Sequence, residues 1–340
     1  MLTLIELVLA LVAILVAAIL FTNAVELLGE RLGLAQGATG SVLAAVGTAL
    51  PETTIPIVAI LGAAFTGTDP ETAGEIGVGA ILGAPFLLAT LAMFLMGVAA
   101  IGYRNRRSSG TTLDIDTETT RRDLGFFLGF YALAILAGIL ALPGFLKVVL
   151  GIVLVTAYVF YVVRTIRAGG GSSGESPEKL RLWPGSSPAP TWAVAGQLVG
   201  ALGIMIVGAR FFVDAVESGA AVVGVPAGLV ALILAPLATE LPEKVNSILW
   251  IGDGKDTDTL AVGNITGAMV FQSTIPVAIG IMFTPWALGG LSLLSAGLAL
   301  AGGALLYWVL RRSKTLEARH LLVGGAFYAV FLVTAVVVVL

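Results

Sequence analysis

The 340-residue chain has no cysteine, a single histidine and only 11 % charged residues. Without cysteine there is no disulfide framework, no thiolate nucleophile and no thiolate zinc site. A water-soluble chain carries roughly a quarter charged residues. A charged share of 11 %, with 58 % hydrophobic residues and a mean hydropathy of +1.02, therefore describes an integral membrane protein whose main surroundings are the lipid bilayer. The net charge is −3, and no basic stripe with interleaved aromatics exists, so nothing points to a nucleic-acid partner. An HExxH motif is also missing, which argues against an intramembrane zinc protease. His320 falls at the cytoplasmic end of the last apolar run, too near the surface to act as a base at membrane depth. Neither an enzyme nor a resident cofactor is expected.

What the chain has in quantity is apolar sequence. Runs long enough to span a bilayer, about 20 residues each, fall at 3–28, 37–65, 73–100, 124–143 and 145–167. Five more follow at 191–218, 222–251, 257–284, 286–311 and 318–340. No Lys or Arg precedes Arg31, so residues 1–20 read as a first span and not as a cleavable signal peptide. Residues 168–190 contain GGGSSG and then ESPEKLRLWPGSSPAP, which is linker chemistry. A second polar stretch, 104–123, reads as a solvated loop. Fifteen of the 18 Lys and Arg residues lie in the loops after spans one, three, five, seven and nine or at their edges. The positive-inside rule puts those loops in the cytoplasm and both termini outside. An odd number of spans per half then forces the halves into opposite orientations. The expected fold is an all-α integral membrane protein of ten transmembrane helices in two inverted five-helix repeats. The first repeat is 1–167, the cytoplasmic linker 168–190 and the second repeat 191–340.

The two halves also share a motif. Residues 47–52 read GTALPE and residues 238–243 read ATELPE, which aligns Thr48 with Thr239, Pro51 with Pro242 and Glu52 with Glu243, all 191 positions apart. At the same offset Asn23 and Glu26 fall opposite Asp214 and Glu217. Each motif sits inside an apolar segment, where a charge is costly unless paired, hydrated or bound to an ion. A proline there removes an N–H and displaces the carbonyls three and four residues earlier, for Pro242 those of Thr239 and Ala238. Carboxylates beside freed carbonyls form an all-oxygen site suited to hard cations. Glu52 and Glu243 are the candidate shared ligands, with Thr48 and Thr239 adding a hydroxyl and a carbonyl each. Glu240 and Lys244 are spaced i, i+4, as an intrahelical ion pair requires. Direct ion contact by Glu240, and occupation of an ion position by Lys244, are the alternatives. GAILGA at 79–84 is echoed by GNITGA at 263–268, whose glycine spacing reads as helix packing. Asn264, Thr266 and Gln272 could add neutral oxygens, and Pro276 frees the Gln272 carbonyl.

These motifs resemble the two alpha repeats of the sodium/calcium exchanger membrane family, in the calcium/cation antiporter superfamily. Its members read GTSLPE followed by GNxxGSNxxN, or Asp at the end. An FxxAVE string at 21–26 and 212–217 adds to the likeness. The resemblance implies alternating access, with spans one and six sliding past a core in which Glu52 and Glu243 hold calcium, helped by the Thr48 and Thr239 carbonyls. It also marks departures. Ala49 and Glu240 replace the motif serines, Ala84 and Ala268 the serines after GNxxG, and Leu88 and Gln272 the final Asn or Asp. The lost hydroxyls belong to the family's sodium sites, which opens proton coupling. The expected function is exchange of Ca2+, or a similar cation, for Na+ or H+. The alternatives are exchange of Na+ for H+ or of other monovalent cations, or a membrane protein that binds an ion without transporting it.

Overall fold

The computed structural model describes residues 2–31, 52–62, 69–167, 179–185, 188–253, 257–313 and 315–339. The first half contributes α1 (Leu2–Arg31), α2 (Glu52–Gly62), α3 (Pro70–Leu87), α4 (Met93–Gly102), α5 (Thr117–Ile139) and α6 (Gly144–Arg167). The second half contributes α7 (Thr191–Val223), α8 (Ala227–Thr239), α9 (Leu241–Asp253), α10 (Asp258–Gln272), α11 (Ile275–Phe283), α12 (Gly290–Ser313) and α13 (Ala318–Val339). A π-helical turn, Leu88–Ala92, carries α3 into α4 without interruption. Among the described residues, eight helices are long and apolar enough to cross a membrane, and Glu52–Gly62 and Ala227–Leu237 are shorter apolar helices.

Helix ends follow the local chemistry. Asp69 caps α3 by accepting from the Thr72 amide at 3.0 Å, with Pro70 in the first turn, where its missing N–H costs nothing. Asp116 caps α5 in the same way through the Glu118 and Thr119 amides. Gly224 ends α7 in the left-handed conformation (φ 75°), and Pro226 starts α8. The apolar run at 222–251 is broken in two, with α8 ending at Thr239 and α9 starting at Leu241. Pro242 is thus the second residue of a new helix rather than a kink inside one, a position that tolerates proline. Pro276 likewise sits in the first turn of α11.

Packing divides the molecule into a helix pair and a larger body. The pair is α1 lying along α7, where a Cβ on Gly208 would come within 2.9 Å of Ile14. The seam between this pair and α2, α3 and α8 is rich in alanine: Ala10, Ala59, Ala80, Ala209, Ala220, Ala227, Ala231 and Ala235 are all buried there. The body has its own core around Phe86, Phe127, Tyr131, Trp286 and Phe331. Within it α10 packs on α5 and α11 on α6, while α3 packs on α12 and α4 on α13.

α3 approaches α8 closely. A Cβ on Gly79 would stand 2.1 Å from the Gly228 carbonyl, and one on Gly83 would stand 2.1 Å from the Leu232 carbonyl. Leu232 is four residues before Pro236, so its carbonyl is the one that loses its helical donor. Gly83 lets α3 close over that oxygen. The GxxxG packing expected for 79–83 holds, whereas at Gly263 and Gly267 a Cβ would meet nothing within 4 Å among the described residues.

Two polar stretches are more ordered than their composition suggests. In the 104–123 loop, Arg107 is buried and grips Asp258 at the start of α10 with two bonds of 2.6 and 2.7 Å. Arg107 also donates to the carbonyls of Gly110, Thr112 and Ile251. The same loop pairs Thr112–Leu113 with Leu316–Glu317 as two short antiparallel strands. It is therefore not a simple solvated loop. In the linker, Leu180 and Ala189 are buried against Ala24, Ala193 and Val194. Asn23 Oδ1 accepts from the Arg181 amide, and Gln197 Oε1 from the Leu182 amide. The end of the linker is docked across α1 and α7; its GGGSSG portion lies outside the described residues.

Candidate functional site

Glu52 is the first described residue of α2 and is 8 % exposed. Gln272, 1 % exposed, ends α10 and donates through Nε2 to Glu52 Oε2, which ties the motif of the first half to the broken eighth span of the second. Tyr158 on α6 lies within electrostatic reach of Glu52 and packs edge-on against Phe271 at 5.4 Å. Beyond Gln272 the chain leaves the helix at Ser273 and Thr274, and both hydroxyls donate to the Val270 carbonyl, at 3.0 and 2.7 Å. An amide side chain that donates to a carboxylate keeps its own oxygen for another partner. Glu52 and Gln272 thus offer hard oxygen ligands in a buried setting.

The second motif lies at the α8–α9 break. Glu240, wholly buried, occupies the break itself, and Lys244 Nζ donates to Glu240 Oε2 at 2.9 Å and to the Glu240 carbonyl at 3.1 Å. The i, i+4 pairing read from the sequence is present. Thr239 is buried and turns its hydroxyl back on the Ala235 carbonyl at 3.3 Å, the ordinary back-bond of a helical threonine. Thr48 lies outside the described residues, as does the Glu243 side chain, so the pairing of Glu52 with Glu243 is not part of the described geometry. Among the described residues, no group of three His, Asp or Glu side chains converges as a metal cluster.

The other two candidates on α10 meet partners away from Glu52. Thr266 donates to Asp123 Oδ2 on α5 at 3.0 Å, and Asn264 Nδ2 donates to Ser247 Oγ on α9 at 3.2 Å. Asp123 is 2 % exposed and also accepts from the Tyr161 hydroxyl at 2.9 Å and from Arg122 at 3.4 Å. This buried acid sits where the sequence reads as the end of a loop. Its only local signal is the helix cap Asp116 seven residues earlier, which places it inside α5. Asn23 and Asp214, opposite one another in the alignment, differ in role. Asn23 is buried against Gln197 at 3.0 Å, and Asp214 is half-exposed beside Arg210 at 4.0 Å.

A family comparison decides what kind of protein carries this arrangement. The sequence pattern of the sodium/calcium exchanger protein family matches residues 2–167 and 193–340. The chain belongs to the sodium/calcium exchanger family. This exchanger-family member is a multi-pass membrane protein. It is 28 % identical over 148 residues to CaxA of Alkalimonas amylolytica, whose name marks it as a candidate antiporter. That match covers 42 % of this chain and 46 % of CaxA, so it spans less than half of that relative. In fold, it is similar to the H+/Ca2+ exchanger CAX, with a TM-score of 0.74, 16 % identity and coverage of 98 % of this chain and 82 % of that one. It is also similar to the sodium-calcium exchanger NCX_Mj, with a TM-score of 0.57, 18 % identity and coverage of 97 % and 98 %. YfkE shares the fold at a TM-score of 0.67 and 12 % identity, over 98 % of this chain and 90 % of that one.

Aligned by their glycine motifs, the π turn after α3 and the break after α10 fall at matching places in the sequence. The offset of 184 that aligns Gly79 with Gly263 puts Leu88–Ala92, the π turn, opposite Gln272–Pro276, the break. Thr90 and Thr274 coincide, and each donates to the carbonyl four residues back: Phe86 at 2.5 Å and Val270 at 2.7 Å. Opposite Gln272 stands Leu88, so at this position the first half has no counterpart to the Gln272 amide.

Proposed function

We propose that this protein is a secondary cation antiporter that exchanges Ca2+, or a similar cation, for H+ or Na+ by alternating access. The observation that carries the reading is the buried Glu52–Gln272 contact, which joins a carboxylate of the repeated motif to the broken eighth span. A carboxylate deep in a membrane is retained for ion or proton handling. Irregular backbone at that depth serves where it lines an ion path. Ten spans in two inverted repeats, 1–167 and 191–340, are supported by the matching packing of α10–α5 with α3–α12 and of α11–α6 with α4–α13. The positive-inside rule supports a cytoplasmic linker at 168–190 and both termini outside. Proton coupling is favoured over multi-sodium coupling because Ala49, Ala84 and Ala268 offer no hydroxyl where the family has serine. A buried carboxylate carries either a proton or a metal ion and so serves both legs of such an exchange.

The names of its relatives fit this reading, since CAX exchanges H+ for Ca2+ and NCX_Mj is a sodium-calcium exchanger. Exchange of monovalent ions is the second reading, favoured by the buried Lys244 ammonium, which adds positive charge beside the α8–α9 break. Ion flux in proteoliposomes tests the proposal. Calcium uptake should follow an imposed pH gradient. Uptake indifferent to both pH and sodium gradients would count against antiport, and proton flux coupled to sodium and unaffected by calcium would select the second reading.

A further inference from the structure

We propose that Lys244 is a tethered cation, its ammonium permanently filling one cation position of the second half and leaving mobile ions the position at Glu52. The proposal rests on the antiport reading and deepens it. At the offset of 191 that aligns the two motifs, Ala49 and Thr53 of the first half stand opposite Glu240 and Lys244 of the second. An acid and a base have thus entered together, one helical turn apart, in one repeat only. The pair adds no net charge to the membrane interior, as expected if a fixed cation accompanies an extra carboxylate.

The coordination of the ammonium resembles that of an ion more than that of a surface salt bridge. Nζ lies 2.9 Å from Glu240 Oε2 and 3.1 Å from the Glu240 carbonyl, one carboxylate oxygen and one main-chain oxygen at a helix break. Those are the ligand types a hard cation takes in an all-oxygen site. Lys244 is 5 % exposed and Glu240 fully buried, so neither charge is solvated by bulk water. Glu240 Oε1 is buried with no hydrogen-bond partner among the described residues, which leaves the carboxylate with unused capacity to bind a cation. One turn beyond Lys244, Ser247 accepts from Asn264, which fixes α9 against α10, the helix that ends in Gln272. A purely structural ion pair needs neither the main-chain oxygen nor the vacant lone pairs.

The test uses the purified full chain with Lys244→Met and with Glu240→Gln/Lys244→Met. Sodium binding is counted with radioactive sodium, and the thermal midpoint is measured against NaCl, with choline chloride holding ionic strength constant. Lys244→Met should bind one more sodium ion per chain than the wild type and gain a saturable stabilisation by NaCl. The double variant should show neither gain. Equal sodium numbers and equal salt responses in Lys244→Met and wild type would overturn the proposal. So would a Lys244→Met chain that stays unfolded at every NaCl concentration while the double variant folds. Failure of the antiport reading would instead appear as absent wild-type flux, independently of these counts.

Discussion

Leu88–Ala92 and Gln272–Pro276 occupy equivalent positions in the two halves, yet the backbone takes different courses there. In the first half, Pro85 precedes the irregular turn and the chain widens into a π turn that keeps α3 and α4 one continuous span. In the second, Pro276 follows, its missing N–H closes off the preceding helix, and the chain restarts as α11. The hydroxyls of Ser273 and Thr274 then both donate to the Val270 carbonyl at the break. Leu88 gives the continuous span no polar side chain, whereas Gln272 gives the broken one the amide that reaches Glu52. The same asymmetry recurs at the motifs, with Ala49 in one half and the Glu240–Lys244 pair in the other. At both places the second half carries polar side chains, Gln272 and the Glu240–Lys244 pair, where the first half has Leu88 and Ala49.

The largest expected effect comes from removing the carboxylate that both halves share. Glu52→Gln should reduce exchange to background in proteoliposomes while the protein still purifies as a folded chain. Exchange above half the wild-type rate would detach the first half from ion handling. Next comes the clamp between halves. Arg107→Met leaves Asp258 buried without its partner and should cost about 3–5 kcal/mol of stability, read as a lowered thermal midpoint in detergent. An unchanged midpoint would show that the 104–123 loop does not hold α10.

How far the sequence foretold these features depends on how local their causes are. The Glu240–Lys244 pair was legible because its geometry is one helical turn, and the eight helices among the described residues that are long enough to cross a membrane were legible from apolar run length. The π turn was not, since Leu88–Ala92 is as apolar as the helix on either side. Asp123 and Arg107 read as loop charges because their partners, Thr266 and Asp258, are more than 140 residues away. For the same reason the docked end of the linker was hidden, because Leu180 finds its apolar neighbours on α1 and α7. Of the candidate ligands, Gln272 met Glu52, Thr239 turned back on its own helix, and Thr266 and Asn264 met partners outside the Glu52 contact.

The glycine pairs sharpen the contrast at a smaller scale. Gly83→Ala drives a methyl into the Leu232 carbonyl and should destabilise by about 1–3 kcal/mol, as overpacking does. Gly263→Ala, which meets nothing within 4 Å among the described residues, should leave the midpoint within a degree or two of the wild type. Equal shifts would mean that the two GxxxG segments pack alike. Smallest are the threonines: Thr90→Val and Thr274→Val each remove one buried hydrogen bond, about 0.5–1.5 kcal/mol. Their effects on stability should match, whereas only Thr274→Val, one residue from the end of the break, should also slow exchange. Equal slowing by both would make the π turn as much a part of the ion path as the break.

The most direct test of the central claim is anomalous diffraction from crystals soaked in Ca2+. A peak within ligand distance of the Glu52 carboxylate and the Gln272 amide oxygen, absent in Glu52→Gln, is the predicted result. A peak away from both residues, or one that survives the substitution unchanged, would contradict it.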